Sequence, residues 1–586
     1  MNYTLNKPEG TEKKGSFFAA AKKLWPMLRE EKKTMALAGI AILVNSFMQL
    51  AAPYLIGRTI DEHIIRDKDF HAVLVAGGML LGMYIVALIA SYLQTQLMGG
   101  VGQRMLFRLR NAVFSKLQEL PVAFFNQNKS GDLISRINND TDKLNQFFSQ
   151  SLMQFLGNIF IMTGAAIFLV VLHPMLGSVA LAPFVFVLIF TQLTGGWVKR
   201  QNAKSLKALG GMSSEIQESL ANFKAIIAFN RRDYFRERFQ TANEENYKTS
   251  VGAGIANNIY TPIYGLATSL AQVGVIAFGI WLITTGNFTL GLLISFLAYV
   301  NNFYTPLRQM AAIWANYQVA LAGWDRIAEI LSLDTDLLPA EATPQSSNGL
   351  LEFKNVKFGY PDGKVVLHGV NFILEQGKTY ALVGPTGGGK TTTASLMARL
   401  FDPTEGTVLL DGRDIRSYSN DERTKKIGFI LQEPYLFAGT LLENIFYGHP
   451  ELEGHSKEEL EARINEAGLG NLMTRFDQGT ETQIATNADA MSLGQRQIIA
   501  FMRAVLRKPE LLILDEATAN IDTVTEQLLG EILEKLPSST TRVVIAHRLN
   551  TIENADTIFF VNGGEITRAG SLDQAVEMLM HGNRQS

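Results

Sequence analysis

Cysteine is absent from the 586-residue chain, which removes disulfides, thiol nucleophiles and cysteine-based metal sites from consideration but says little about compartment. A basic excess is missing too. Lys and Arg total 53 against 55 Asp and Glu, so overall charge gives no support for a nucleic-acid partner. The opening MNYTLNKPEGTEKKG lacks the apolar core of a secretion signal, and residues 1–15 are expected to form a flexible cytosolic tail. Charge itself is missing from one long interval, since no Asp, Glu, Lys or Arg occurs between Lys248 and Arg308. A soluble fold would hardly tolerate that gap.

What is present is apolar sequence, 47% of the chain. About 20 apolar residues cross a bilayer as a helix, because every backbone polar group must be satisfied internally there. Six stretches qualify, at 35–57, 73–100, 151–173, 175–198, 259–286 and 288–304. Arg104, Arg108, Arg110, Lys116, Lys129 and Arg136 follow the second, and Lys199, Arg200, Lys204, Lys207, Arg231 and Arg232 follow the fourth. The short connections after the third and fifth carry no Lys or Arg, so both termini are expected in the cytosol. Phe17, Phe18, Leu24, Trp25 and Leu28, set among basic residues, fit an interfacial elbow helix or a plain extension of the first span.

The connections at about 99–150 and 199–250 carry apolar residues at helical spacing, so spans two to five are expected to project well past the bilayer. Each connection holds a compact turn, FNQNKSGDLISRINND (125–140) and SLANFKAIIAFNRRDYF (219–235), where a soluble partner could dock. Within the spans the polar residues are uncharged: Asn45, Gln49, Gln154, Asn158, Gln192, Asn257, Asn301 and Asn302. That pattern suits a flexible cavity for lipophilic or amphipathic compounds, although such side chains also join helices to one another.

The membrane part is expected over 16–333, a linker of Pro, Ser, Thr and Gly over 334–349, and a second domain over 350–586. In that domain VVLHGVNFIL, YALVG, KIGFILQ, LLILD and TRVVIAHR read as strands alternating with helices, hence a mostly parallel α/β sheet. YALVGPTGGGKTTTASLMARL sends a strand into a glycine-rich turn that opens a helix, matching the phosphate-loop pattern through Gly384, Gly389, Lys390 and Thr391. Such a turn wraps backbone N–H groups around phosphate, Lys390 reaches the outer phosphates, and Thr391 offers a hydroxyl to Mg²⁺. At the end of LLILDE, Asp515 can hold the same ion and Glu516 can orient or deprotonate an attacking water.

In this order the motifs resemble those of the ATP-binding cassette transporters, specifically type IV exporters that fuse six spans to one cassette. The resemblance implies an α-helical transmembrane bundle joined to an α/β P-loop NTPase cassette, with ATP and Mg²⁺ as cofactors. It makes Tyr360 of FGYPD the adenine-stacking aromatic, and Gly384, Pro385, Thr386, Gly387, Gly388, Gly389, Lys390, Thr391 and Thr392 the phosphate cradle. Gln432 of LQEPYLF becomes a Mg²⁺ ligand and sensor, His547 of IAHRL the switch beside the γ-phosphate, and Asp522 of TANID the D-loop acid. The turns near Asp132 and Phe223 resemble the coupling helices that seat in cassette grooves.

MSLGQ stands where the family has LSGGQ, so Ser492, Gly494 and Gln495 are implied to hold the nucleotide of a second cassette. This turn departs from the pattern in Met491 and Leu493, and ATNADA replaces an acidic, glycine-containing stretch upstream. A weakened signature beside an intact Glu516 resembles the glutamate-bearing subunit of bacterial heterodimeric multidrug exporters. A second half-transporter, membrane lipids and an amphipathic cargo are thus the expected partners, in a bacterial inner membrane. A homodimeric lipid translocase and an ATP-binding regulatory protein are the alternatives.

Overall fold

The computed structural model describes residues 3–5, 29–333, 349–360, 363–432, 434–452, 454–485, 491–515, 523–545, 555–571, 573–575 and 577–578. Two compact units emerge: one comprises Lys7–Leu117 and Gly131–Ser332, the other Met1–Asn6, Gln118–Ser130 and Leu333–Ser586. The elbow segment 16–28 and the linker 334–348 lie outside the described residues.

The first unit is helical. Its principal helices are α1 (Lys32–Thr59), α2 (Phe70–Glu119), α3 (Leu152–Leu172), α4 (Pro174–Ala221), α5 (Arg232–Asn258), α6 (Tyr260–Thr284) and α7 (Leu290–Leu331). Among the described residues, six helical stretches are long and apolar enough to cross a membrane. α2 has 50 residues, about 75 Å at the usual rise, against about 30 Å of hydrocarbon. α2 is therefore long enough to project well past the bilayer. In the apolar window of α2 only 6% is buried within the unit, so its surface must be covered by lipid or a partner.

Local chemistry fixes the helix ends and crossings. The ring Nδ1 of His173 accepts from Leu176 N at 3.1 Å and Pro174 follows as the first helical residue of α4. Pro53 inside α1 cannot donate to the carbonyl of Gln49, and that oxygen instead accepts from Asn302 Nδ2 of α7 at 3.5 Å. Tyr299 donates to Leu50 O at 2.7 Å and Ser295 to Pro53 O at 2.7 Å, so α7 stitches itself along the stretch around Pro53. Asp61 Oδ1 accepts from Gly291 N at 2.7 Å and satisfies the start of α7. Of the polar span residues, Asn158 bonds Gln309, Asn301 bonds Gln272 and Asn257 bonds Asn202, each on another helix. These side chains join helices.

Between α2 and α3 the chain forms short helical pieces, among them Ser130–Ser135, Arg136–Asp140 and Thr141–Gln146. Arg136 is fully buried there, bonding Asp132 Oδ2 at 3.0 Å, Glu329 Oε2 at 2.7 Å and the carbonyl of Arg326 at 2.8 Å. Asp140, also buried, pairs with Arg326 and with Lys143. A buried charge holds only when paired and hydrogen-bonded, which is the case for both.

The second unit is α/β. β1 (Leu351–Gly359), β2 (Val365–Leu374), β4 (Glu405–Leu410) and β5 (Arg413–Asp414) form an antiparallel sheet in the order β2-β1-β4-β5. β3 (Thr379–Val383), β6 (Ile427–Ile430), β9 (Leu511–Asp515), β10 (Thr541–Ile545), β11 (Thr557–Asn562) and β12 (Glu565–Ala569) form a second sheet, ordered β12-β11-β3-β10-β9-β6. This one is parallel except for the β11–β12 pairing. β7 (Gly439–Thr440) and β8 (Gln483–Ile484) make a small ladder. The expected parallel sheet is present, but β2 belongs to the separate antiparallel sheet. Its alternating burial, with one face on the core, is the antiparallel signature.

Within the expected tail, Tyr3 and Leu5 are 4% and 7% exposed and are hydrogen-bonded to Gln127 and Asn128. Their apolar side chains outweigh the polar composition around them.

Candidate nucleotide site

Strand β3 runs into the turn Gly384–Gly389, and α8 (Lys390–Met397) begins immediately after it. The glycines are dictated by close backbone approach. At Gly384, φ is +152° and a β-carbon would stand 2.0 Å from Val561 O; Gly389 caps α8 at φ +114°. Lys390 is buried, and its Nζ donates to Gly384 O at 2.8 Å and Pro385 O at 3.0 Å. The loop thereby holds a positive charge at a helix N terminus, a position suited to phosphate.

Asp515 closes β9 and is 5% exposed; Thr391 Oγ1 lies 3.4 Å from its Oδ1. A hydroxyl and a carboxylate side by side at the carboxyl end of a parallel sheet are oxygen donors of the kind Mg²⁺ takes. β6 pairs with β9 through Ile430 and Leu514, and Gln432 follows at the same end of the sheet, exposed. The donor set fits the ion.

Tyr360 Oη and Thr392 Oγ1 are 3.1 Å apart, and the Tyr360 ring sits edge-on to Phe358 at 5.0 Å and Phe401 at 5.6 Å. Tyr360 and the loop residues Thr386, Gly387, Gly389, Lys390, Thr391 and Thr392 line one cavity of about 560 Å³. Lys364, Val365, Val366, His368, Gly563 and Gly564 complete its wall, and none of these six is flagged by the motifs. The Gly563–Gly564 turn between β11 and β12 accounts for part of it, since Gly564 N donates to Gly388 O at 3.2 Å and Gly564 O accepts from His368 N at 3.0 Å. The NGGE turn was readable in the sequence, but its place under the phosphate loop depends on long-range pairing.

The signature turn opens α9 (Leu493–Leu506). Ser492 Oγ accepts from Gln495 N at 3.2 Å while Gln495 Oε1 accepts from Ser492 N at 3.0 Å, a reciprocal capping box. Gln495 Nε2 donates to Arg475 O at 3.1 Å. Leu493 begins regular helix and needs no left-handed φ, and Met491 packs against the helical core of this unit. Gly494 lies in the first turn of α9. Among the described residues, Ser492 and Gln495 bond to each other and to Arg475, not to the phosphate loop.

Beside β6 lies a groove of about 190 Å³, lined in part by Phe429, Tyr435, Phe437, Tyr447, Arg503 and Arg507. Arg503 donates to Asn444 O at 2.9 Å and covers the Tyr447 ring, and burial pushes its guanidinium down to about 10. Glu516, Asp522 and His547 fall outside the described residues.

Residues 35–307 match the family described as ABC transporter transmembrane region, and 367–519 match the one described as ABC transporter. The chain is 32% identical over 581 residues to the ABC transporter ATP-binding protein YfiC of Bacillus subtilis (strain 168), covering 98% of this chain and 95% of that one. It is 31% identical over 503 residues to a fatty acid ABC transporter ATP-binding/permease protein of Mycobacterium bovis, with 86% and 79% covered. A solved bacterial Atm1-family ABC exporter with ATP bound shares the fold at TM-score 0.78, with 23% identity over 95% of this chain and 98% of that one.

Proposed function

Because this chain belongs to the ABC transporters, ATPases that work as dimers, we infer that it exports lipophilic or amphipathic compounds by alternating access as one half of such a dimer. The single observation that supports this most is a phosphate loop centring Lys390, with Thr391 beside Asp515, in a chain that also carries six candidate spans. The fatty-acid relative supports an apolar cargo. The basic connections support cytosolic termini in a bacterial inner membrane. Residues 16–333 form the membrane domain, 334–349 the linker and 350–586 the cassette.

Tyr360 stacks on adenine, the amides from Gly384 to Thr392 hold the phosphates, and Lys390 turns its ammonium to the outer ones. Thr391, Asp515 and Gln432 hold Mg²⁺, which when bound neutralises phosphate charge. Glu516 accepts a proton from the attacking water as its oxygen bonds the γ-phosphorus and the bond to the β-phosphate oxygen breaks. His547 acts on the γ-phosphate as the switch residue, and Asp522 contributes to nucleotide binding as the D-loop acid. Ser492, Gly494 and Gln495 face the nucleotide of the second half-transporter, so ATP joins the cassettes and its hydrolysis releases them. The turns near Asp132 and Phe223 act as coupling helices that carry cassette closure to the spans as rigid-body motion.

The partner is a different half-transporter with the weaker catalytic apparatus, this chain supplying Glu516. The intact capping box at Ser492 favours a second reading, a homodimer acting on lipids. Purified alone, a heterodimer subunit hydrolyses ATP feebly; brisk turnover with two equivalent nucleotides would overturn that choice. Glu516→Gln should abolish ATP-driven transport into vesicles, and unchanged transport would remove Glu516 as the base.

A further inference from the structure

Tyr3–Leu5 lies across the end of the short helix Val122–Gln127. Tyr3 N donates to Gln127 Oε1 at 2.8 Å, Leu5 N donates to Asn128 Oδ1 at 3.0 Å, and Asn128 Nδ2 donates back to Tyr3 O at 2.9 Å. Thr4 Oγ1 adds a bond to Gln127 Oε1 at 3.2 Å. Burial alternates as along an extended chain, with Tyr3 and Leu5 inward and Thr4 outward. Asn128 Nδ2 also donates to Phe124 O at 2.8 Å, so the side chain that ends the helix also holds the peptide. Phe124, on the same helix, is completely buried. Met1–Asn6 and Gln118–Ser130 fall in one compact unit with the nucleotide-binding strands.

We propose that Tyr3–Leu5 is a strap that fixes the turn after α2 and thereby sets how fully ATP turnover is passed to the spans. It rests on the exporter reading above. Ordering these residues costs conformational entropy comparable with what two buried side chains and a few hydrogen bonds return. The strap therefore sits near balance, and small changes at residues 3–5 shift its occupancy. Released, it leaves Gln127 and Asn128 without their peptide partners and the helix end free to fray.

The chain's lack of cysteine permits a clean test. A Gln49→Cys reporter on α1, in the full dimeric transporter in vesicles, is labelled with a membrane-impermeant maleimide with and without ATP. In the otherwise intact chain ATP changes the labelling rate. In chains lacking residues 2–5, or carrying Tyr3→Ser with Leu5→Ser, that change should shrink by about five-fold or more, the lower end of ordinary coupling between sites. ATP hydrolysis should persist. Asn128→Ala should reproduce the loss, and a synthetic MNYTLN peptide at about millimolar, the effective concentration a short tether supplies, should reverse it in the deletion. Unaltered labelling in the strap variants overturns the proposal, as does a loss that Asn128→Ala does not reproduce and the peptide does not reverse. The exporter reading fails on the otherwise intact chain, whereas the strap fails only on the variants.

Discussion

Gly57 and Gly291 bring α1 and α7 together backbone to backbone. A β-carbon on Gly57 would stand 2.5 Å from Gly291 O, and one on Gly291 would stand 2.0 Å from Gly57 O. Backbone cannot yield as a flexible side chain does, so Gly57→Val must pry the helices apart and strain the Asp61 cap beside them. The expected cost is about 1–3 kcal/mol, read as a lowered midpoint in detergent thermal melts followed by tryptophan fluorescence. An unchanged midpoint would mean that the crossing is looser than described.

Lys390→Ala removes the charge that the loop centres and leaves the carbonyls of Gly384 and Pro385 to other donors. ATPase activity should fall by about 10²-fold or more while the fold survives. Phosphate release and fluorescent-nucleotide binding on one preparation separate lost hydrolysis from lost protein. Full activity would exclude Lys390 from the outer phosphates.

Ser492 caps α9, and the proposed function gives it a phosphate contact besides. As a helix cap it is replaceable by Asp but not by Ala, so Ser492→Ala should lose about 1 kcal/mol of stability and Ser492→Asp little. If it also contacts phosphate, activity should tolerate neither, because a carboxylate there would repel the nucleotide. Thermal melts should rank Asp near the parent, whereas ATPase assays should rank both variants low. An active Asp variant would show that Ser492 serves as a cap alone.

Lys426 joins the two sheets, bonding Asp411 Oδ2 at 2.8 Å and Glu510 Oε1 at 2.6 Å. Burial pulls its ammonium down, but the two carboxylates win and raise it from 10.5 to about 12. A raised value means that its contribution is complete below pH 10.5 and disappears as pH climbs through about 12. Lys426→Met should lower the melting midpoint at neutral pH by the equivalent of about 1 kcal/mol, since the pair is partly exposed. The difference from the parent should vanish over that alkaline window.

Legibility followed the range of the interactions involved. The phosphate loop was readable because the glycines, the lysine and the flanking strand and helix are contiguous and answer to local geometry. The spans were readable because composition alone sets them. β2 was readable as a strand but not in its sheet, since its partner β1 pairs in turn with β4, about fifty residues further on. Polar residues such as Asn302 could be found but not interpreted: only the structure ties that amide to the oxygen released by Pro53. The contacts of Tyr3–Leu5 were not legible because the groups that hold it, on Gln127 and Asn128, stand far away in sequence.

Arg136 is buried and meets α7 through Glu329 and the carbonyl of Arg326. A guanidinium seated that way cannot slip by fractions; it stays engaged or is torn out at the expense of a stranded charge. The joint behaves as a gear tooth rather than a hinge, so a displacement of the Arg136–Asp140 segment is passed to the end of α7 that carries Arg326 and Glu329.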